Sequence, residues 1–384
     1  MRIGIDARLA YQTGVGRYTR NLVKNLAEID NKNEYVLFIR KEDEPDVKKW
    51  KMENAMPVGR QGKWKIVSVD LPWHSLEEQV KLPSILNKEN LDLVHFPYFS
   101  VPIFYSKPFV VTIHDLILHH FPTGKASTFP FPIYWAKIAA YKFAISRAVK
   151  KANKVIAVSN STKDEIVDHL NIKPEKVVVT YEAVGTAFRE KRQASSLTTT
   201  KFSTLNANRY FLFVGNVYPH KNAETLIEAH NIFVRQLADP NISLVFVGKE
   251  DYFYRRLKQK VKSNKSIEFL HNVSDENLSW LYQNAQAVVC PALMEGFGLP
   301  ALEAMTNKCL VIASDISALR EVCKGNAIYF DPKNPNELVE KMKGVLGNKN
   351  KYKDKIENGF KRSQEFSWRK MSEETLKIYE ESIG

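Results

Sequence analysis

The sequence predicts an α/β protein of two doubly wound domains, each with a parallel sheet between layers of helices. Its length of 384 residues exceeds that of a typical single domain. Short apolar runs alternate with helical patterns along the chain, and a polar stretch at residues 186–208 interrupts this alternation. The hydrophobic fraction of 44% is large enough for two cores.

The first domain is expected over residues 1–185. Its apolar runs are rich in Val, Ile and Phe and mostly do not alternate with polar residues, as expected of strands buried on both faces. A helix predicted over residues 17–29 places Leu22, Leu26 and Ile29 on one face. The predicted strands span residues 2–7, 35–39, 65–69, 91–96, 109–114, 155–159 and 177–180.

The second domain is expected over residues 209–366, after a linker at 186–208 that lacks any apolar period. A second strand–helix series fills it, and one more helix is predicted at 368–383. The strands are predicted at residues 210–215, 243–248, 267–270, 287–291, 310–314 and 327–330. The helices between them are predicted at 223–234, 277–285, 300–305 and 336–346.

Charge and cysteine content restrict the partners and the compartment. A net charge of +13 suits phosphate-rich partners such as nucleotides, nucleic acid or an anionic membrane surface. No pair among Cys290, Cys309 and Cys323 has metal-ligand spacing, so we expect buried free thiols in a reducing cytosol. Residues 1–6 resemble a strand rather than a signal peptide, and no run approaches the ~20 apolar residues of a membrane span. We therefore expect a cytoplasmic protein, either dissolved or attached to the inner face of the cell membrane.

Ligand-binding residues are expected beyond the carboxyl ends of the strands. Gly14 and Gly16 follow the first strand and open a helix, where free N–H groups suit an anion. His114 ends another strand and suits either a sugar hydroxyl or a structural capping role. Lys221 precedes a helix, where its ammonium group could bind diphosphate oxygens. The alternative is that Lys221 is an ordinary surface lysine with no ligand.

The most specific pattern follows the strand predicted at 287–291. Glu295 stands in a glycine-rich loop, and Pro300 fits the first turn of a helix because its missing N–H is not needed there. The N–H groups around Gly298 and Leu299 then face outward, ready for a phosphate. Glu303 suits the positive end of the helix dipole, but Glu295 has no such simple structural explanation.

These residues resemble the retaining glycosyltransferases of family 4, the group 1 glycosyltransferases of GT-B fold. The matching features are Glu295 and Glu303, the glycine loop at residues 14–16, His114, the Pro-His-Lys-Asn run at 219–222 and the Val-Ser-Asn-Ser run at 158–161. The resemblance covers essentially the whole chain. It implies two Rossmann-like domains facing across a cleft, with a C-terminal helix over 367–384 that crosses back to the first, acceptor-side domain.

The resemblance also implies roles for the residues of the second domain. Glu303 would hold the donor ribose hydroxyls, and Glu295 would contact the transferred sugar. Phe297, Gly298 and Leu299 would offer backbone N–H groups to sugar and phosphate. The implied substrate is a nucleotide-diphosphate sugar, and the implied reaction retains the anomeric configuration. No cofactor or metal is expected, in line with the lack of an Asp-x-Asp motif at the strand ends.

Three further residues receive roles by the same resemblance. Lys221 would bind the diphosphate, His114 would contact the sugar near the reacting carbon, and the loop at Gly16 would close over donor and acceptor. Across the predicted cleft, His114 is expected to face Glu295. Because the leaving phosphate of this family is proposed to take the acceptor proton itself, no side-chain base is assigned.

One position departs from the family pattern. Asn216 stands where many members carry an arginine, directly after the glycine that ends the first strand of the second domain. Asn216 is retained as a donor-binding candidate. Without that arginine, another group must neutralise part of the negative charge on the leaving diphosphate. The candidates are His220 and Arg17.

Residues 107–154, termed the basic aromatic segment, suggest an acceptor environment. Basic and aromatic composition suits the headgroup zone of an anionic membrane and thus a lipid-linked acceptor. A core helix with a solvated basic face explains the composition nearly as well, and no nucleic-acid-binding motif is present. The cations are Lys107, Lys125, Lys137, Lys142, Arg147, Lys150, Lys151 and Lys154. The aromatics are Phe121, Phe129, Phe131, Tyr134, Trp135, Tyr141 and Phe143.

The leading hypothesis is a hexosyltransferase acting on a glycan or lipid-linked acceptor, with GDP-mannose as the first donor candidate by resemblance. A nucleotide-sugar epimerase of the same architecture is one alternative. A two-domain sugar-binding protein is another, although such proteins are typically exported. A nicotinamide dehydrogenase is disfavoured because the glycine fingerprint is incomplete. The sequence does not specify the donor base, the sugar, the acceptor, the linkage or the oligomeric state.

Overall fold

The computed structural model describes residues 1–47, 63–71, 75–122, 131–185, 209–237 and 241–383. These residues form two compact units. The first unit contains the described residues up to Glu182 and those from Ser367 onward, and the second contains those from Ala183 to Phe366. The linker predicted at 186–208 lies outside the described residues.

The first unit is built on a seven-stranded parallel sheet of order β3-β2-β1-β4-β5-β6-β7. The order reverses direction between β1 and β4, which is the arrangement of a doubly wound sheet. Interior strands such as β5 are buried along their whole length, which explains their continuous apolar sequence. The strands are β1 Arg2–Asp6, β2 Glu34–Arg40, β3 Trp64–Val69, β4 Leu93–Phe96, β5 Phe109–Ile113, β6 Lys154–Ala157 and β7 Val177–Val179.

Helices pack on this sheet and bury its apolar side chains. The core joins strand residues such as Val111 and Val155 to helix residues such as Ile145 and Ile166. The helices are α1 Thr13–Ile29, α2 Leu76–Lys88, α3 Ile117–His120, α4 Phe131–Lys151 and α5 Asn160–Leu170.

The second unit contains a six-stranded parallel sheet of order β10-β9-β8-β11-β12-β13. The order again reverses, here between β8 and β11, so that these two strands are hydrogen-bonded neighbours. The strands are β8 Tyr210–Val214, β9 Ser243–Val247, β10 Ile267–Leu270, β11 Ala287–Cys290, β12 Val311–Ser314 and β13 Ile328–Phe330. The predicted class of two doubly wound α/β domains is thereby confirmed.

Seven helices of the second unit lie within the described residues, and the last helix of the chain belongs to the first unit. That last helix packs on α1, where Trp368 meets the Tyr18 ring edge-on at 6.4 Å. The helices are α6 Ala223–Leu237, α7 Tyr252–Lys260, α8 Asp275–Asn284, α9 Leu299–Thr306, α10 Ser317–Cys323, α11 Pro335–Gly347, α12 Lys353–Ser363 and α13 Trp368–Ile383.

The start of α1 differs from the prediction. The helix begins at Thr13 rather than residue 17, so Gly14 and Gly16 lie in its first turn and not in a separate loop. The Gly16 N–H donates to the Gln12 carbonyl at 2.9 Å. A Cβ at Gly16 would lie 2.6 Å from the carbonyl oxygens of Leu9 and Ala10, so glycine is needed for this close backbone contact.

The state of the cysteines and the character of the helices were also predicted from the sequence. The cysteines are buried free thiols, as predicted, at positions 290, 309 and 323. Within the described part of the chain, none of the helices has the length and apolar character required to span a membrane.

Candidate active site

The loop between β11 and α9 is shaped by Gly298. Gly298 has a φ of +101° at the N-terminal boundary of α9, in a region that L side chains rarely adopt. A Cβ there would also lie 2.7 Å from Leu319 Cδ2. Among the described residues no side chain caps α9, and Pro300 occupies its first turn. The start of α9 therefore presents main-chain N–H groups and a positive dipole end, which suit an anion.

Lys221 and Glu295 form an ion pair at this helix start. Lys221 Nζ donates to Glu295 Oε1 at 2.6 Å, and the two side chains are 18% and 13% exposed. Lys221 follows β8 and Glu295 follows β11. Because β8 and β11 are adjacent strands, their carboxyl ends bring together two residues that are 74 positions apart. The ion pair places a lysine ammonium and a carboxylate side by side at the carboxyl edge of the second sheet.

Hydrogen bonds hold the two loops together. Asn222 adopts a left-handed conformation, and its Nδ2 donates to the carbonyls of Pro291 and Pro332 at 3.0 and 2.8 Å. The Leu293 N–H donates to the His220 carbonyl at 2.7 Å. Asn222 lies in the recognised run at 219–222, but nothing in the sequence indicated its own role. Its amide fixes the lysine-bearing turn against the glutamate-bearing loop.

Glu303 lies inside α9 and is almost entirely buried, with 3% of its surface exposed. Its Oε2 accepts a hydrogen bond from the Tyr282 hydroxyl of α8 at 2.7 Å. Tyr282 was missed by sequence reasoning because an aromatic residue in an amphipathic helix is typical of a core position. The contact orients the carboxylate that is expected to hold a ribose.

The ring of Phe297 is buried within the second unit. The side chain is 3% exposed and packs edge-on against Phe366, with the ring centroids 5.6 Å apart. This packing anchors the loop. The backbone N–H roles expected of Phe297, Gly298 and Leu299 stay predictions.

Asn216 and His220 adjoin the Lys221 turn. Asn216 Oδ1 accepts a weak hydrogen bond from the Tyr218 N–H at 3.4 Å. Burial, assisted by the positive charge of Lys221, lowers the pKa of His220 to about 3. His220 is therefore neutral at pH 7 and offers hydrogen bonds rather than charge. Of the two residues suggested to compensate for Asn216, His220 does not carry the positive charge required.

His114 lies directly after β5 in the first unit, and acceptor oxygens contact both of its ring nitrogens. Nδ1 is 3.0 Å from a Glu182 carboxylate oxygen, and Nε2 is 2.9 Å from the Pro97 carbonyl. Burial by itself lowers the pKa of His114, but the hydrogen bond and charge of Glu182 outweigh it and raise this pKa above its usual value. Both nitrogens can donate only in the imidazolium form, so this geometry favours a charged His114.

Glu182 is a second residue that sequence reasoning missed. It follows β7 by a few positions and so lies at the same carboxyl edge of the first sheet as His114. The strand-end rule applied to His114 would have indicated it. Gly16 and His114 thus belong to the first unit, whereas Asn216, Lys221, Glu295 and the residues of the α9 start gather in the second.

Comparison with known families identifies the chain. Residues 12–188 match the family described as Glycosyltransferase Family 4, and residues 199–362 match the family described as glycosyl transferases group 1. The chain is a group 1 glycosyltransferase. The family resemblance noted from the sequence is confirmed, and the enzyme class is that of a sugar transferase.

Two relatives carry related names. The O-antigen chain mannosyltransferase RfbU of Salmonella typhimurium is 27% identical over 278 residues, covering 72% of this chain and 70% of that protein. The O-antigen chain mannosyltransferase B of Escherichia coli is 24% identical over 376 residues, covering 96% of each chain. The names of these two relatives support a hexosyltransferase.

Solved structures support the fold. The Anabaena protein Alr3699/HepE, crystallised in complex with UDP-glucose, superposes with a TM-score of 0.76 at 16% identity. The match covers 99% of this chain and 100% of that one. The predicted GT-B class is confirmed for this group 1 glycosyltransferase.

Proposed function

We propose that this glycosyltransferase moves a mannosyl group from GDP-mannose to a glycan or lipid-linked acceptor, with retention of anomeric configuration. The observation that carries the proposal is the Lys221–Glu295 pair beside the uncapped start of α9. The choice of mannose draws on the names of the two O-antigen relatives. Because Alr3699/HepE was crystallised with UDP-glucose, a UDP-sugar is the competing donor.

The proposed roles follow from where charge develops during transfer. Positive charge grows on the sugar, and negative charge grows on the departing diphosphate. Lys221 and the N–H groups at the start of α9 stabilise the diphosphate, while the Glu295 carboxylate stabilises the sugar. When Lys221 contacts the diphosphate, it gives up part of its contact with Glu295. Donor binding thereby also frees the Glu295 carboxylate to turn towards the sugar.

The protonation state of His114 bears on the choice of base. An imidazolium whose two nitrogens already donate to Glu182 and Pro97 does not accept a proton from an acceptor hydroxyl. This supports the route in which the leaving phosphate takes the acceptor proton. The role proposed for His114 stays contact with the transferred sugar near the reacting carbon, made through its main chain because both ring nitrogens already donate.

A donor panel tests the proposal. We expect GDP-mannose to raise the melting temperature more than UDP-glucose or ADP-glucose, because a ligand at 100 times its Kd stabilises the native state by about 2.7 kcal/mol. With a lipid-linked oligosaccharide acceptor, NMR of the product should show the anomeric configuration of the donor. Stronger stabilisation by UDP-glucose would overturn the choice of donor. An inverted product would overturn retention, and an epimerised sugar formed from donor alone would favour the epimerase.

We also propose that α4, within the basic aromatic segment, attaches the enzyme to an anionic membrane surface. Residues 123–130 of that segment lie outside the described residues. One side of α4 packs into the first unit through Ile138 and Ile145, and Lys137 and Lys142 flank the opposite side. That outward side carries exposed apolar residues at helical spacing. They are Ile133, Trp135, Ala136, Ala139, Ala140 and Phe143.

The exposed fractions make this face unusual. Ile133, Trp135 and Phe143 are 48%, 45% and 58% exposed, although large apolar side chains favour burial. An apolar stripe bordered by lysines is typical of a helix that lies in the plane of a membrane interface. The overall charge of +13 favours anionic over neutral lipid. A lipid-linked acceptor would then be reached at the surface where it resides.

Vesicle sedimentation tests the membrane proposal. We expect binding to phosphatidylglycerol-containing vesicles, with release by salt because screening weakens surface attraction. The double variant Trp135→Asp/Phe143→Asp should lose this binding. The variant Leu76→Asp changes a residue that is 87% exposed elsewhere in the first unit and should retain it. Equal loss in both variants, or no binding by the parent protein, would contradict the proposal.

A further inference from the structure

A cluster of two histidines and one glutamate lies in the first unit and includes none of the residues assigned to donor binding. His120 Nε2 is 2.6 Å from Glu165 Oε2, and His169 Nε2 is 3.3 Å from the same oxygen. All three ligand atoms lie within 4.8 Å of one another. We propose that His120, Glu165 and His169 form a binding site for a divalent transition metal of the zinc class.

The backbone places the three side chains suitably. Glu165 and His169 are four positions apart on α5 and so share one face of that helix. His120 ends α3, a separate element, and its ring stands edge-on to His169 with the centroids 4.7 Å apart. Ligands from two elements can enclose an ion, whereas ligands from a single helical turn cannot do so alone.

The distances suit a tetrahedral ion. Zinc binds nitrogen and carboxylate oxygen at about 2.0–2.2 Å, so tetrahedral ligand atoms lie roughly 3.3–3.6 Å apart. The 3.3 Å separation between His169 and Glu165 already fits, and the 2.6 Å separation between His120 and Glu165 needs a small outward movement of His120. The side chains of His120, Glu165 and His169 are 33%, 30% and 43% exposed, so they have room to move and the ion has an entry path.

The donor types indicate which metals fit. Two imidazole nitrogens and one carboxylate suit zinc, nickel, copper or cobalt, whereas magnesium and calcium prefer all-oxygen sites. Three protein ligands leave a fourth position for water.

An ordinary ion pair between His120 and Glu165 is the competing explanation. It requires a protonated His120 and assigns no role to His169, whose Nε2 approaches the same carboxylate oxygen. A metal ion uses all three groups and requires neutral histidines. Bound there, it would tie α3 to α5 and so restrain the segment that follows His114. The inference is independent of the proposed donor and acceptor.

The test uses the full chain after treatment with EDTA, without substrate. Calorimetric titration with zinc chloride should show one ion bound per chain, and zinc should raise the melting temperature whereas magnesium should not. Cobalt in place of zinc should give the visible absorption of a site with four or five ligands. His169→Ala and Glu165→Gln should each weaken zinc binding about ten- to a hundred-fold or more.

Two control variants separate a specific site from general loss of surface charge. Glu175→Gln removes an exposed carboxylate of the first unit outside the cluster, and His271→Gln removes a histidine of the second unit. Both should bind zinc as the parent protein does. The proposal is wrong if zinc does not bind, or if it binds His169→Ala and Glu165→Gln as tightly as it binds the controls. Equal stabilisation by magnesium would likewise overturn the assignment to a transition metal.

Discussion

Glu295→Gln is expected to lower kcat for sugar transfer by on the order of a hundredfold, while changing the donor KM much less. The carboxylate is proposed to face a sugar whose positive charge is largest in the transition state, so its electrostatic contribution is greatest there. Gln keeps the shape and the acceptor oxygen that Lys221 contacts at 2.6 Å, but removes the negative charge. The measurement is steady-state kinetics at saturating acceptor.

The second unit offers a matched control for this substitution. Glu250 pairs with Lys258 at 3.1 Å, but both side chains are more exposed than those of the Lys221–Glu295 pair. Glu250→Gln therefore removes a carboxylate of a lysine pair without touching the loop before α9, and it should leave kcat and KM unchanged. A normal kcat for a folded Glu295→Gln enzyme would remove Glu295 from the proposed role.

Glu303→Ala is expected to raise the donor KM about ten- to a hundred-fold, with kcat at saturating donor largely retained. The carboxylate is proposed to hold ribose hydroxyls, which change little during the reaction, so its contacts stabilise ground and transition states alike. A charge-assisted hydrogen bond contributes roughly 1.5–3 kcal/mol, which corresponds to this range of KM. Initial rates over a range of donor concentrations measure both constants.

A second variant is needed to interpret Glu303→Ala. That substitution also removes the carboxylate oxygen that accepts a hydrogen bond from the Tyr282 hydroxyl at 2.7 Å. Tyr282→Phe deletes that hydrogen bond and keeps the carboxylate. If Glu303 contacts the donor directly, Tyr282→Phe should raise KM less than Glu303→Ala does. Melting temperatures of both variants separate lost stability from lost binding. An unchanged donor KM in folded Glu303→Ala enzyme would refute the ribose role.

Much of the fold could be predicted because its signals are local. Short apolar runs indicated each of the thirteen strands that lie within the described residues. The signal is strongest for interior strands such as β5, which are buried on both faces and need apolar residues throughout. Pro300 and the glycines before it indicated the start of α9, because the backbone conformations they permit are set within a few bonds. The strand-end rule then selected Lys221, Glu295 and His114 as ligand-binding candidates.

The tertiary structure decided which of these residues meet. The Lys221–Glu295 pair depends on β8 and β11 being neighbours, and the Tyr282–Glu303 bond depends on how α8 packs beside α9. Strand order and helix packing result from contacts summed over a whole domain, so no local pattern specifies them.

Dependence on distant contacts also explains the remaining differences between the sequence predictions and the structure. The Glu182 carboxylate raises the pKa of His114 against the opposing effect of burial. Helix α1 begins before Gly16, whose backbone lies so close to the carbonyls of residues 9–10 that only glycine fits. The sequence could place basic and aromatic residues in one segment, but only packing against the first sheet shows that Trp135 and Phe143 share the outward side of α4. Residue types and backbone propensities are properties of short stretches of sequence. The partners, exposure and charge state of a side chain depend on which distant elements come into contact.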